Sequence, residues 1–176
     1  MTIQHFIARL NWRLILFHLV ACWCFTYAFS LFSWLYDLNY VKYALTHSNR
    51  EVFKMPGFTN QRVADMALWS ALSYPAGLLA CFILSMIISR KKRWFWLNGF
   101  ISFLVACLLF HFKFTGWIWL KYIFLTPGEL FGVFSAGYFI LNGGILLVLG
   151  LLCLFLPAVV RFIETGATQK TTISSP

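Results

Sequence analysis

Charged residues are missing from four long stretches of this chain, residues 14–36, 66–89, 94–112 and 130–160, which run to 23, 24, 19 and 31 residues. A helix needs roughly 20 mainly apolar residues to cross a hydrocarbon core about 30 Å thick. All four runs meet or approach that length. Helix is the state they dictate, because a segment in lipid must satisfy its own backbone hydrogen bonds. The short alternating strands of a transmembrane barrel are not visible. Composition agrees: the chain is 61% hydrophobic and only 11% charged, where a soluble domain carries roughly 25% charge. A water-soluble globule and a disordered chain are both excluded. The expected fold is an all-α integral membrane protein, a single four-helix transmembrane domain over residues 1–164 with spans at about 14–36, 66–89, 94–112 and 130–160.

Orientation follows from Lys and Arg in the short loops. The chain holds 14 Lys+Arg against 5 Asp+Glu, a net charge of +9. Arg90, Lys91, Lys92 and Arg93 form a tight basic turn between the second and third runs. With that turn in the cytoplasm, the inner side carries it together with Arg9, Arg13, Arg161 and Lys170 against Glu164. The outer side carries Lys42, Arg50, Lys54, Arg62, Lys113 and Lys121 against Asp37, Glu51, Asp65 and Glu129. The +9 thus divides into +7 inside and +2 outside. The expectation is N-in, C-in, in a cell or inner membrane. The excess of positive charge is an address and not a nucleic-acid footprint. The first run is too long and aromatic for a cleavable signal peptide and lacks a small-residue cleavage site. Residues 1–13 read as an amphipathic lead-in.

Between the runs, the outer loop 37–65 is expected to form a small extracytoplasmic cap. Leu38, Val41, Leu45 and Val52 recur at helical spacing, so the first helix is expected to continue out of the membrane. Met55-Pro56-Gly57-Phe58 has Pro and Gly where a type II turn wants them, and Thr59 or Asn60 can cap the next helix. Segment 113–129, with Phe114, Trp117, Trp119, Tyr122 and Phe124 around two lysines, is expected to lie in the membrane interface. It ends in Thr126-Pro127-Gly128-Glu129, a capping box that predicts the fourth helix to start there. At 31 residues the fourth run would span about 46 Å, so it must tilt, bend or project. Gly143-Gly144 offers a bend and Pro157 an end. Pro75 in the second run reads as a tolerated bend, with a gating hinge as the alternative. The Thr/Ser-rich segment 165–176 is expected to be a disordered cytoplasmic tail.

The chemistry-bearing residues are few. Gly128, Gly132, Ala136, Gly143 and Gly150 form a small-residue series on the fourth run, a helix-packing or oligomer interface. Asn142 among them suits an interhelical hydrogen bond. No Asp, Glu, Lys or Arg lies deep in any run, which weighs against ion-coupled carriers and voltage sensors. Cys22, Cys24, Cys81, Cys107 and Cys153 all fall within the runs and read as buried structural residues. Cys22 and Cys24 point to different sides of one helix and cannot pair with each other. His18 and His111 lie toward opposite ends of their spans and make no haem site within one chain. Asp37, Asp65, His111 and Glu129 all fall at the outer boundary and form a candidate acid–base cluster. Helix-dipole and ion-pair roles are the competing explanation. The basic turn of Arg90, Lys91, Lys92 and Arg93 is a candidate contact for anionic lipid or a cytoplasmic partner. No metal site, cofactor site or nucleotide-binding motif is expected. The reading is a non-catalytic membrane subunit, a scaffold, anchor or pore-forming protomer that packs with itself or with a larger complex. The alternative is a small lipid- or quinone-active enzyme using the outer cluster.

Overall fold

The computed structural model describes residues 12–89, 95–112 and 126–162, and every regular element among them is helical. Helix α1, Trp12–Ser33, passes through a 3-10 turn at Trp34–Asp37 into α2, Leu38–Thr46. The short α3, Asn49–Val52, precedes α4, Asn60–Ser89; α5 is Phe95–Phe112 and α6 is Ala136–Phe155. Three helical stretches, Trp12–Thr46, Asn60–Ile87 and Ala136–Phe155, are long and apolar enough to cross a membrane. Along α4 the exposed large residues include Leu68, Leu72, Leu79, Ile83 and Ile87. Spacings of four and seven put them on one stripe. A stripe that continuous is an aggregation liability in water, but it suits hydrocarbon.

The first helix does continue beyond the uncharged run. The Ser33 hydroxyl bonds back to the Ser30 carbonyl at 2.7 Å where the helix tightens into the 3-10 turn. Asp37 then restarts it: its Oδ1 accepts the Tyr40 N–H at 3.0 Å and caps α2. Ser48 and Glu51 form a reciprocal capping box on α3. The Met55–Phe58 turn closes with the Phe58 N–H on the Met55 carbonyl at 3.0 Å. Gly57 takes φ +74°, the left-handed third position that a type II turn requires. Thr59 caps α4 through the Arg62 N–H at 3.1 Å, six residues before the uncharged run begins. Helix α4 runs unbroken through Pro75. Nearby, the Ser73 hydroxyl bonds to the Ser70 carbonyl at 2.7 Å.

The fourth run differs from the sequence expectation. It is not one helix from Thr126. Residues Thr126–Phe131 form a 3-10 stretch, and α6 begins only at Ala136. Two residues interrupt the backbone, Gly132 at φ +85° and Phe134 at φ +61°; a bulky side chain rarely adopts that conformation. The cap of α6 is Ser135, whose hydroxyl accepts the Tyr138 N–H at 3.1 Å. At the other end Leu156 leaves the helix before Pro157, and a further helical turn covers residues 157–162. The length problem is thereby removed, since the 20 residues of α6 span about 30 Å, one hydrocarbon thickness.

The described residues divide into two compact units, one made of 12–24, 78–89, 95–112 and 148–162 and the other of 25–77 and 126–147. In the first, His18 meets Phe103 edge-on at 5.9 Å, and Phe82 packs on Phe103 at 5.2 Å. Leu14 is buried against Phe17 and Val159. Arg13 lies over the Phe162 ring at 4.2 Å and donates to the Phe162 carbonyl at 2.9 Å. In the second unit α4 approaches α1 at Gly77, where a Cβ would stand 2.7 Å from the Thr26 Cα. Helix α6 packs antiparallel to the α1 end of that unit. Gly143 receives the Phe32 ring, and Phe139 meets Trp34 edge-on at 5.5 Å.

Candidate functional site

The polar end of the second unit is built around Arg62, which lies in the first turn of α4. Its guanidinium grips the Asp37 carboxylate with both a side-on and an end-on nitrogen; Nη2 donates to Oδ1 at 2.6 Å, and Nε donates to Oδ2. Nη1 reaches the Gly57 carbonyl at 3.4 Å, and the group stands 5.7 Å from the centre of the Tyr40 ring. One side chain therefore ties the end of α1, the start of α2 and the type II turn to α4. Both members of the pair are partly buried, at 23% and 17% side-chain exposure, and the two-point grip fixes their geometry better than a single-contact surface bridge does. Asp37 lies just outside the uncharged run. The Arg62 hydrogen bonds hold its carboxyl below the usual carboxylate range, against the opposing effect of burial. Glu51 is likewise lowered, by the hydroxyl and N–H of Ser48.

The same cap holds an open groove of about 440 Å³, lined by Tyr40, Asn49, Val52, Phe53, Phe58, Asn60, Val63, Ala64 and Ala67. Helix α4 supplies its small-residue floor, and the cap supplies aromatic walls. Phe53 is 68% exposed, yet it packs edge-on against Phe58 at 5.3 Å. Tyr36 and Trp69 form a further exposed ring pair at 5.5 Å, the kind of amphipathic aromatics that favour a membrane–water boundary.

The outer carboxylates named from sequence have separate surroundings. Asp37 is held by Arg62. Asp65 accepts from Gln61 Nε2 on its own helix at 2.8 Å. Glu129 is exposed in the 3-10 stretch. Position 111 is in the last turn of α5, but its side chain is outside the described residues. Among the described residues no three His, Cys, Asp or Glu side chains could hold a metal ion. The small-residue series is split by the structure. Gly128 and Gly132 precede α6, and Gly132 has no atom within 4 Å of where a Cβ would be. Ala136, Gly143 and Gly150 are on α6, and Gly143 serves contact with Phe32 inside the chain. Asn142 is fully buried and uses its Oδ1 to accept the Gly128 N–H at 3.0 Å. A Cβ on Gly128 would collide with that amide, which explains the glycine. The basic turn of Arg90, Lys91, Lys92 and Arg93, the aromatic residues 113–125 and the tail 165–176 lie outside the described residues.

Two tertiary contacts escaped sequence reasoning. The pairing of Arg62 with Asp37 carried a weak signal, opposite charges at the facing ends of two neighbouring runs. The other carried none: Cys22 of α1 meets Cys81 of α4, sulfur to sulfur at 3.7 Å. No protein-family model, curated protein or solved structure matches the chain.

Proposed function

We propose that this protein is a non-catalytic, multi-pass membrane subunit that works by packing and docking. The observation that carries the reading is the construction of the cap. Asp37, Glu51 and Asp65 each hold a neighbouring group of the protein's own framework. The cap they shape offers an apolar, aromatic-walled groove, not a convergent acid–base pair. A groove with a hydrophobic lining suits a protein partner at an interface whose core excludes water.

In this reading α5 supplies the fourth crossing beside α1, α4 and α6, and the chain is oriented N-in, C-in in the cell or inner membrane. The cap then lies outside and the basic turn in the cytoplasm, where Arg90 to Arg93 meet anionic headgroups or a soluble partner. The exposed stripe of α4 gives a lateral surface for a second copy or another membrane subunit. The test is native mass measurement of the full chain extracted in mild detergent. A mass above that of one chain plus bound detergent is expected. A monodisperse single chain would overturn the subunit reading. Ion flux in liposomes holding only this protein separates a self-assembled pore from a scaffold.

A further inference from the structure

We propose that residues 126–135 form a re-entrant arm, folded back along the first turns of α6, that sets Leu130, Phe131 and Val133 among lipid acyl chains. The leaflet concerned is the one that α6 enters at Ala136. Two contacts fix the course of the arm. The Gly128 N–H reaches Asn142 Oδ1 at 3.0 Å. The Phe131 side chain lies over Gly137, where a Cβ would stand 2.8 Å from the Phe131 Cβ. From Gly128 to Phe131 the chain thus climbs toward the start of α6 while the helix beside it descends. Asn142 is six residues past Ala136, the first residue of α6, which is about 9 Å along the helix axis. The arm then turns through Gly132 at φ +85° and Phe134 at φ +61° to reach Ser135 and the helix. The inference rests on α6 as a membrane crossing, for which it is long and apolar enough.

What covers the arm follows from that depth and from its surface. Leu130 is 87% exposed, Phe131 62% and Val133 52%. Such neighbouring apolar side chains are a liability in water, but beside the first turns of a membrane span they meet hydrocarbon. The backbone suits the same setting, where an unpaired polar group is costly. Pro127 has no N–H, and the Gly128 N–H is taken by Asn142. The Gly132 N–H goes to the Glu129 carbonyl at 2.9 Å, and the Ser135 N–H to the Gly132 carbonyl at 3.2 Å. Glu129 limits the depth. At three residues per turn, Gly128 and Phe131 share the side toward α6, while Glu129 and Leu130 take two different sides. The carboxylate stays with the headgroups and the leucine enters the acyl layer. The arm therefore lies at the boundary between them, and its partner is lipid.

The experiment uses the full chain in phosphatidylcholine vesicles. A photoreactive benzophenone amino acid replaces Leu130, Val133 or, as a control for the crossing itself, Ile140; all three are exposed, so the exchange leaves the core untouched. After irradiation the intact mass of each variant is expected to rise by that of one phosphatidylcholine. A lipid adduct at 140 with none at 130 and 133 would overturn the arm and leave the crossing standing. No adduct at any of the three would remove the crossing, and the arm with it. Cross-linking of position 130 or 133 to a second copy of the chain, in place of lipid, would make the surface a protein interface and end the lipid assignment. In the unsubstituted protein, hydroxyl radicals generated in the water phase should label Phe53 of the cap and spare Leu130 and Phe131. Labelling of those two as strong as that of Phe53 would equally defeat the proposal.

Discussion

Arg62 reaches three parts of the cap at once, which makes it the residue whose loss is most informative. Its fork on Asp37 is a charge-assisted, bidentate contact in a partly buried setting, and such a pair contributes about 1 kcal/mol or less once solvent screening is counted. Because the folded Asp37 carboxyl is held below its usual range, the unfolded chain binds more protons between the two values. The stabilisation is therefore complete above the ordinary aspartate pKa and is lost as pH falls through the lowered one. Limited proteolysis of the exposed 47–58 region in detergent should accelerate on acidification of the wild type. Arg62→Met should be cut faster at neutral pH and show a flatter dependence on acid; cleavage unchanged from wild type would remove the keystone role. At this scale the sequence was partly readable. It placed Asp37 and Arg62 in one layer, because charges at span ends must share the boundary. It did not single out their pairing among several cations.

Helix packing is decided by where backbones come closest, and two glycines on long helices differ sharply. At Gly77 an added methyl would meet the Phe25–Thr26 backbone, which has no flexible end to move aside. Gly77→Ala is expected to destabilise by about 1–3 kcal/mol. At Gly144 nothing lies within 4 Å of the new atom, so Gly144→Ala should be neutral or gain up to about 1 kcal/mol from helix propensity. Thermal unfolding in one detergent compares the pair, and equal melting temperatures would refute the close approach. Local signals were the legible ones among the elements. The type II turn and the Thr59 cap depend on residues three apart, so neighbours in sequence suffice to fix them. The start of α6 was misread for the opposite reason. Thr126-Pro127-Gly128-Glu129 has the right residues for a helix cap. However, the Gly128 N–H is taken by Asn142 fourteen positions away, and the chain turns through two left-handed residues before Ser135 starts the helix.

For the whole molecule, the charge asymmetry makes a direct prediction. A reporter active only outside the cytoplasm should work when inserted after Lys54 in the cap and fail when inserted after Lys92 in the basic turn. The reverse pattern would invert the orientation and put the groove in the cytoplasm. The sequence by itself determined that the chain is helical and that it carries stretches apolar and long enough to span a membrane, of which three are seen as helices of that length among the described residues. Apolar length and missing charge are one-dimensional quantities, and a hydrocarbon solvent reads them without reference to neighbours. Tertiary structure alone decided that Arg62 locks the cap, that a groove opens beside it, that Asn142 holds the 3-10 stretch, and that Cys22 touches Cys81. Each of those contacts joins residues 14 to 59 positions apart. Their formation depends on how closely packed helices approach, which no local pattern encodes.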